Sequence, residues 1–294
     1  MDRLESMSVF VAVASAGSFS AASRQLRMPL PTVSRKVSDL ESHLKAKLFV
    51  RSTRRLALTD AGQSYLLACK RALEQIAEAE RGASGQYNVP QGELFLTAPI
   101  VFGRLHVLPV VMDFLGVHPQ VDVRMELTDR ALNLMDDHLD LAVRIGTLPD
   151  SSLVATRIGR IRSVVCASPA YLDEHGVPRS PEDLSGHACV TFTGVGETGS
   201  WKFRAGPPVR VRSRLAVNTA ESAIEGAIAG IGLTRVLSYQ VTDAVEAGKL
   251  VIVLRKFEPE PLPISLIYVQ ERRPTAKLRA FLDFAVPRLR ERLR

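Results

Sequence analysis

Tryptophan occurs once in this 294-residue chain, and cysteine only three times. Cys69, Cys166 and Cys189 are odd in number, far apart and without a CxxC pair. That excludes a disulfide framework, and the three read as reduced, mostly buried thiols. A redox sensor would need an exposed thiol of low pKa, which no neighbouring residue suggests. Catalytic signatures are also missing. There is no HExxH, Walker A or GxSxG sequence, and His43, His106, His118, His138, His175 and His187 contain no i, i+4 pair. No nucleophile is therefore paired with a base, and the chain reads as a non-enzyme. Gly194 to Gly199 matches GxGxxG, but Ser200-Trp201-Lys202-Phe203 behind it looks like a strand. A dinucleotide site needs a helix there, so the stretch reads as a surface loop. Asp136, His138 and Asp140 are metal ligands on paper, yet they are expected to end one helix and start a strand. No metal and no cofactor are expected. No stretch approaches the roughly 18 apolar residues that span a bilayer. Met1-Asp2-Arg3-Leu4-Glu5 does not lead into a signal-peptide apolar region, so a cytoplasmic location without membrane contact is expected.

What is present is positive charge, unevenly placed. The net charge is +7, and residues 1–60 hold ten cations against five anions. The first fifth of the chain thus carries most of the excess, which favours a nucleic-acid-binding N-terminus. Leu4, Met7, Val11 and Ala14 recur at helical spacing and predict an apolar stripe on a first helix. Gly17 ends that helix and Ser18 caps a second, with Phe19, Ala22 and Leu26 inward. Pro29 and Pro31 bracket a turn into a third helix, whose inner face is Val33, Val37, Leu40 and Leu44. Leu48-Phe49-Val50 and Leu56-Ala57-Leu58 can pair as a hairpin with the cationic tip Ser52-Thr53-Arg54-Arg55. Helix, turn, helix and basic wing in this order fit the DNA major groove and its flanking phosphates. The candidate DNA-binding residues are Ser18, Ser20, Thr32, Ser34, Arg35, Lys36, Ser38, Arg51, Thr53, Arg54 and Arg55. Hydroxyls can bond phosphates or base edges, Arg35 can fork onto a guanine, and the tip arginines suit phosphate or minor-groove contact.

These residues carry a family resemblance. The helix-turn-helix, the Leu-Phe-x-Arg-x-Thr-Arg-Arg-x-x-Leu-Thr wing from Leu48 to Thr59, and Gly62 resemble the N-terminal winged helix-turn-helix of LysR-type transcriptional regulators. Family-like order continues across the whole chain. One local difference is Pro29-Leu30 before Pro31, where many members carry a polar pair.

Thr59 or Asp60 is placed to cap a long helix to about Gly82. Leu66, Cys69, Leu73, Ile76 and Ala83 follow steps of three, four and seven, a heptad seam on a helix roughly 35 Å long. A dimer seam is expected there, and the resemblance implies the same use; the alternative is packing on its own domain. Residues 82–90 read as a hinge. From Glu93 strands alternate with helices, which implies α/β layers.

The fold class is therefore α/β overall: an all-α winged helix-turn-helix (1–59), a linker helix and hinge (60–90), and an α/β effector domain (91–294). The resemblance implies two subdomains, about 91–160 with 267–294 and about 161–266, around a cleft similar to that of periplasmic binding proteins. Ligands in open α/β sheets sit at the carboxyl ends of strands. On that rule the effector candidates are Thr97, Pro99, Ile100, Val101, Asp129, Arg144, Ser163, Thr193, Asn218, Thr234 and Arg235. The helix after Ala98 can hold an anion at its N-terminus, with Arg144 and Arg235 adding charge, so a small carboxylate is expected. The expected partners are double-stranded DNA, that effector, a second copy of the chain through the linker helix, and RNA polymerase; the resemblance implies assembly into a dimer of dimers. An enzymatic C-terminal domain and a sequence-indifferent architectural DNA binder are the alternatives.

Overall fold

The computed structural model describes residues 2–51, 56–83, 89–130, 132–134, 137, 139–148, 153–192, 199–269 and 274–293. The chain divides into two compact units, Met1–Val89 and Pro90–Arg294.

The first unit contains α1 (Arg3–Ala16), α2 (Phe19–Leu26), α3 (Leu30–Leu44), β1 (Phe49–Arg51), β2 (Leu56–Leu58) and α4 (Asp60–Ala83). Local chemistry sets each boundary. Gly17 takes φ 66° after α1, and Ser18 Oγ accepts the Ala21 N–H at 3.0 Å to start α2. Ser23 Oγ donates to the Met28 carbonyl at 2.6 Å and ties the turn together. Thr59, not Asp60, caps α4 through the Gly62 N–H at 2.9 Å. The shared core holds Val9, Phe10, Val13, Ala22, Val33, Val37, Leu40, Leu48 and Phe49. The expected α1 stripe is displaced: Leu4 is exposed, Met7, Val11 and Ala14 only flank the core, and Ser6, Val9, Phe10 and Val13 face inward. α1 is apolar nearly all round, so spacing alone could not choose its buried face. Cys69 and Leu66, read as seam residues, pack on this same core.

The second unit runs β3 (Gly92–Ala98), α5 (Ile100–Val117), β4 (Val121–Leu127), β5 (Leu141–Ile145), β6 (Leu153–Ile161), β7 (Ser163–Ala167), α6 (Pro169–His175) and β8 (Ala188–Phe192). It continues through β9 (Ser200–Trp201), β10 (Val209–Arg210), β11 (Arg212–Val217), α7 (Ala220–Ile228), β12 (Leu233–Leu237), α8 (Thr242–Glu246), β13 (Val251–Val253), β14 (Leu262–Val269) and α9 (Ala276–Arg292). Two five-stranded sheets result, ordered β4-β3-β5-β14-β6 and β11-β8-β12-β7-β13. In the first, β3 runs parallel to β4 and β5, and β14 is antiparallel to β5 and β6. In the second, β8 is parallel to β11 and β12, and β7 is antiparallel to β12 and β13. The chain passes between sheets twice, at Arg162 and again between β13 and β14. Arg162 Nη1 meets both Glu258 carboxylate oxygens, at 3.1 and 3.0 Å, and so ties the two crossings together. The expected return to the first subdomain at about 267 falls inside β14, which already pairs in the first sheet from Leu262.

One exclusion does not hold. α5 is 18 residues long with a mean hydropathy of 1.7, long and apolar enough to cross a membrane. Its Phe102, Val107, Val110, Val111 and Phe114 pack into the first sheet's core with Leu278, Phe281, Ala285 and Leu289 of α9, while Leu105, Leu108, Met112 and Val117 on its other side are exposed. Between β12 and β13 the chain makes a short turn over Ser238–Gln240 followed by α8.

Gly62 marks a tight junction. A Cβ there would lie 2.0 Å from the Leu48 carbonyl oxygen, which already accepts the Thr59 N–H. Gly62→Ala is expected to destabilise the first unit by about 1–3 kcal/mol. Thermal unfolding of the full chain would show a lowered transition, whereas an unchanged one would mean that this junction yields freely.

Candidate DNA-binding face and ligand cleft

α3 divides its residues sharply. Val33, Val37 and Leu40 are buried, while Arg35 and Ser38 are exposed and Thr32 and Ser34 half-buried. Arg35 therefore has a clear path outward. Lys36 is less open, because its ammonium pairs with Glu5 of α1. Ser20 is exposed, whereas Ser18 spends its oxygen on the α2 cap. β1 and β2 form the expected hairpin as an antiparallel pair, Phe49 opposite Leu58 and Arg51 opposite Leu56, with the first strand one residue later than the expected Leu48–Val50. Thr53, Arg54 and Arg55 lie outside the described residues.

The sequence reading missed the residue that holds this hairpin. Glu41 is buried on the inner side of α3. Its Oε1 accepts the Leu48 N–H at 2.9 Å and the Phe49 N–H at 3.3 Å, and Oε2 meets Lys47 Nζ at 2.9 Å. Burial pushes its pKa up, but the Lys47 ammonium and the two amides outweigh that and hold it below the usual 4.5. The available signal was an acidic residue between Leu40 and Leu44 on an otherwise apolar face.

In the second unit the candidate residues are distributed over both sheets, and each has its own surroundings. Thr97, at the end of β3, is buried and donates to the Glu126 carbonyl at 2.8 Å. Pro99 opens α5, Val101 is buried, and the Ile100 N–H donates to Asp129 Oδ1 at 3.1 Å. The chain's own carboxylate thus already sits at the helix N-terminus expected to hold an anion. Burial raises the Asp129 pKa, the Ile100 amide opposes this, and Glu221 in the first turn of α7 raises it further. Arg144 Nη2 donates to the Leu132 carbonyl at 2.7 Å, and burial holds its guanidinium below the usual range. Ser163 begins β7 opposite Leu237, and its buried hydroxyl has no hydrogen-bond partner among the described residues. Asn218 is exposed just before the Thr219 cap of α7.

Two candidates are committed to the second sheet. Thr234 Oγ1 donates to the Val190 carbonyl at 3.0 Å. Arg235 lies 5.6 Å from the Trp201 ring, donates to the Lys202 carbonyl at 3.3 Å, and is pushed down to about 10 by burial. Thr193 is outside the described residues, as are Asp136 and His138; Asp140 accepts the Phe95 N–H at 2.8 Å. Tyr239 was not foreseen. It follows β12, yet its ring meets Phe102 and His106 of α5 edge-on, each at 5.6 Å. Burial, then Asp129, raises its hydroxyl pKa.

A helix-turn-helix with an exposed polar face on α3 and a pinned hairpin is thus joined in one chain to a domain of two five-stranded sheets with polar groups at strand ends. Residues 4–63 match the model of the bacterial regulatory helix-turn-helix proteins of the lysR family, and residues 88–290 match that of the LysR substrate binding domain. The chain belongs to the LysR family of transcriptional regulators. It is 32% identical to the uncharacterized HTH-type transcriptional regulator YhjC of Escherichia coli K12, covering all of both chains. It is 33% identical to the probable HTH-type transcriptional regulator LtrA of Klebsiella pneumoniae, over 97% of this chain and 94% of that one. The solved structure of CrgA, a LysR-type transcriptional regulator from Neisseria meningitidis, aligns with a TM-score of 0.61 and 32% identity over 97% of this chain and 98% of that one. The matched families and relatives are regulators, not enzymes, so this LysR chain is a DNA-binding protein with an effector-binding domain.

Glu41→Gln should leave the regulator folded at pH 7 but cost about 1–3 kcal/mol. Because the folded pKa is depressed, the wild-type advantage is full above about 4.5 and fades as pH falls through the lower folded value. Urea unfolding from pH 7 down to pH 3 checks this: the two proteins converge on acidification, and a constant gap would remove the charge from the explanation.

Proposed function

We propose that this LysR regulator reads a two-fold DNA site through the exposed face of α3 and the wing tip, and that a small organic acid at the strand-end cleft adjusts that binding. The exposed Arg35 beside half-buried Thr32 and Ser34 carries the first part. Arg35 forks onto a guanine, and Arg51, Arg54 and Arg55 neutralise phosphates. Leu73 and Ile76, the seam residues of α4 beyond those that join the unit's own core, supply the dimer contact, and two dimers assemble into a tetramer. Such a regulator works in the cytoplasm, with RNA polymerase as the further partner.

Ser163 and Arg144 support the acid. A buried hydroxyl without a partner and a guanidinium weakened by burial both gain from an incoming carboxylate. Asp129 competes for the Ile100 N–H, so the acid binds better when Asp129 is neutral. Only a ligand with different affinity for two arrangements of the subdomains shifts the DNA-binding ends.

Arg35→Ala is expected to reduce discrimination between operator and mismatched duplex by about 1–3 kcal/mol. Arg54→Ala should weaken all duplexes alike and lower the slope of log K against log salt by about one. Fluorescence anisotropy at several salt concentrations reads both, and untouched binding in both variants would refute the docking. For the cleft, Asp129→Asn keeps an acceptor for Ile100 and removes the charge. Calorimetry against a panel of small organic acids should give about tenfold tighter binding to this variant. Heat from neutral ligands alone would eliminate the acid.

A further inference from the structure

The recognition helix opens on an apolar tip. Pro29, Leu30 and Pro31 are all exposed, Leu30 by 43%. Met28 and Val33 on either side join the core of the first unit, whereas Leu30 does not. No side chain caps the helix; the Thr32 and Val33 amides close its first turn on the Pro29 carbonyl, at 2.9 and 3.1 Å. Two prolines stiffen the backbone around Leu30, so holding its side chain outward costs little entropy.

An exposed leucine at this position has a matching target in the major groove. The thymine 5-methyl is the apolar group among otherwise polar base edges. Leu30 shares a helix flank with Ser34 and Ser38 at steps of four, and Arg35 follows on the outward face. At 1.5 Å per residue, Leu30 and Arg35 are separated by about 7.5 Å along the axis, roughly two base-pair steps.

We propose that Leu30 is a specificity-determining residue that reads a thymine methyl within about two base pairs of the base contacted by Arg35. This rests on α3 being the base-reading helix. Leu30 is not part of the core, so replacing it leaves the fold in place.

The test is selection from a random pool of duplexes by the full-length protein and by its Leu30→Ala and Leu30→Gln variants. The wild type should enrich a motif with a fixed thymine in each half-site. Leu30→Ala should lose the preference at that position alone, and Leu30→Gln should shift it toward adenine, which glutamine bonds through N6 and N7. A second arm uses only the wild-type protein: replacing that thymine with deoxyuridine removes one methyl and should weaken binding about fourfold. Retention of the thymine preference in Leu30→Ala, or equal wild-type affinity for thymine and deoxyuridine duplexes, would overturn the proposal. A wild-type protein that enriches no motif would overturn it together with the base-reading role of α3, which separates the two failures.

Discussion

The DNA-binding end of this protein depends on one buried carboxylate. Glu41 leaves α3 on its inner side and accepts the first two amides of the hairpin, Leu48 and Phe49. A three-residue pair of strands cannot hold its own position in water. With the carboxylate removed, two buried amides would lose their acceptor. The same short stretch fixes the start of α4: Thr59 Oγ1 donates to the Lys47 carbonyl at 2.6 Å, and Gly62 approaches the Leu48 carbonyl too closely for any side chain. These contacts tie α3, the start of the hairpin and the start of α4 together.

The ligand-binding unit is organised around two crossings. β6 hands the chain to β7 through Arg162 alone, and the return precedes β14. The Arg162–Glu258 pair joins the two passages, and the Ser238 amide also donates to the Arg162 carbonyl at 2.9 Å. Tyr239, immediately beyond, reaches from the second sheet to Phe102 and His106 over the first. Any change in the angle between the sheets must alter these contacts together. α5 is well suited to register such a change. It contains a wide turn at Gly103–Val107, and Gly103 packs so closely on β4 that a Cβ would lie 2.3 Å from Leu127 Cδ2.

Much of this was legible in the sequence, for physical reasons. Gly17 and Ser18 announce a helix end and a helix start because αL geometry and an N-cap oxygen are strong local requirements. The inner face of α3 follows from period alone. α1 defeated the same method, since an apolar helix contains several stripes and only packing selects Val9, Phe10 and Val13. Length and hydropathy could not show which side of α5 is buried either; its packing against the sheet and α9 selects Phe102, Val107, Val110 and Phe114. Glu41, Asp129 as an internal cap, and Tyr239 across the sheets each depend on partners at other places in the chain or in the other sheet. Arg235 was drawn to the cleft by its place on β12, but its side chain turns toward Trp201. Strand alternation decided this, and a rule based on strand ends ignores it.

The central claim is sequence-specific DNA binding by this LysR regulator. Its most direct test is titration of the full-length protein against DNA from upstream of its own coding region, beside a scrambled duplex, at about 0.15 M salt where non-specific binding is weak. The account predicts a preference for the native duplex of about 10³ or more. Equal affinity for both, falling steeply with salt, would contradict it.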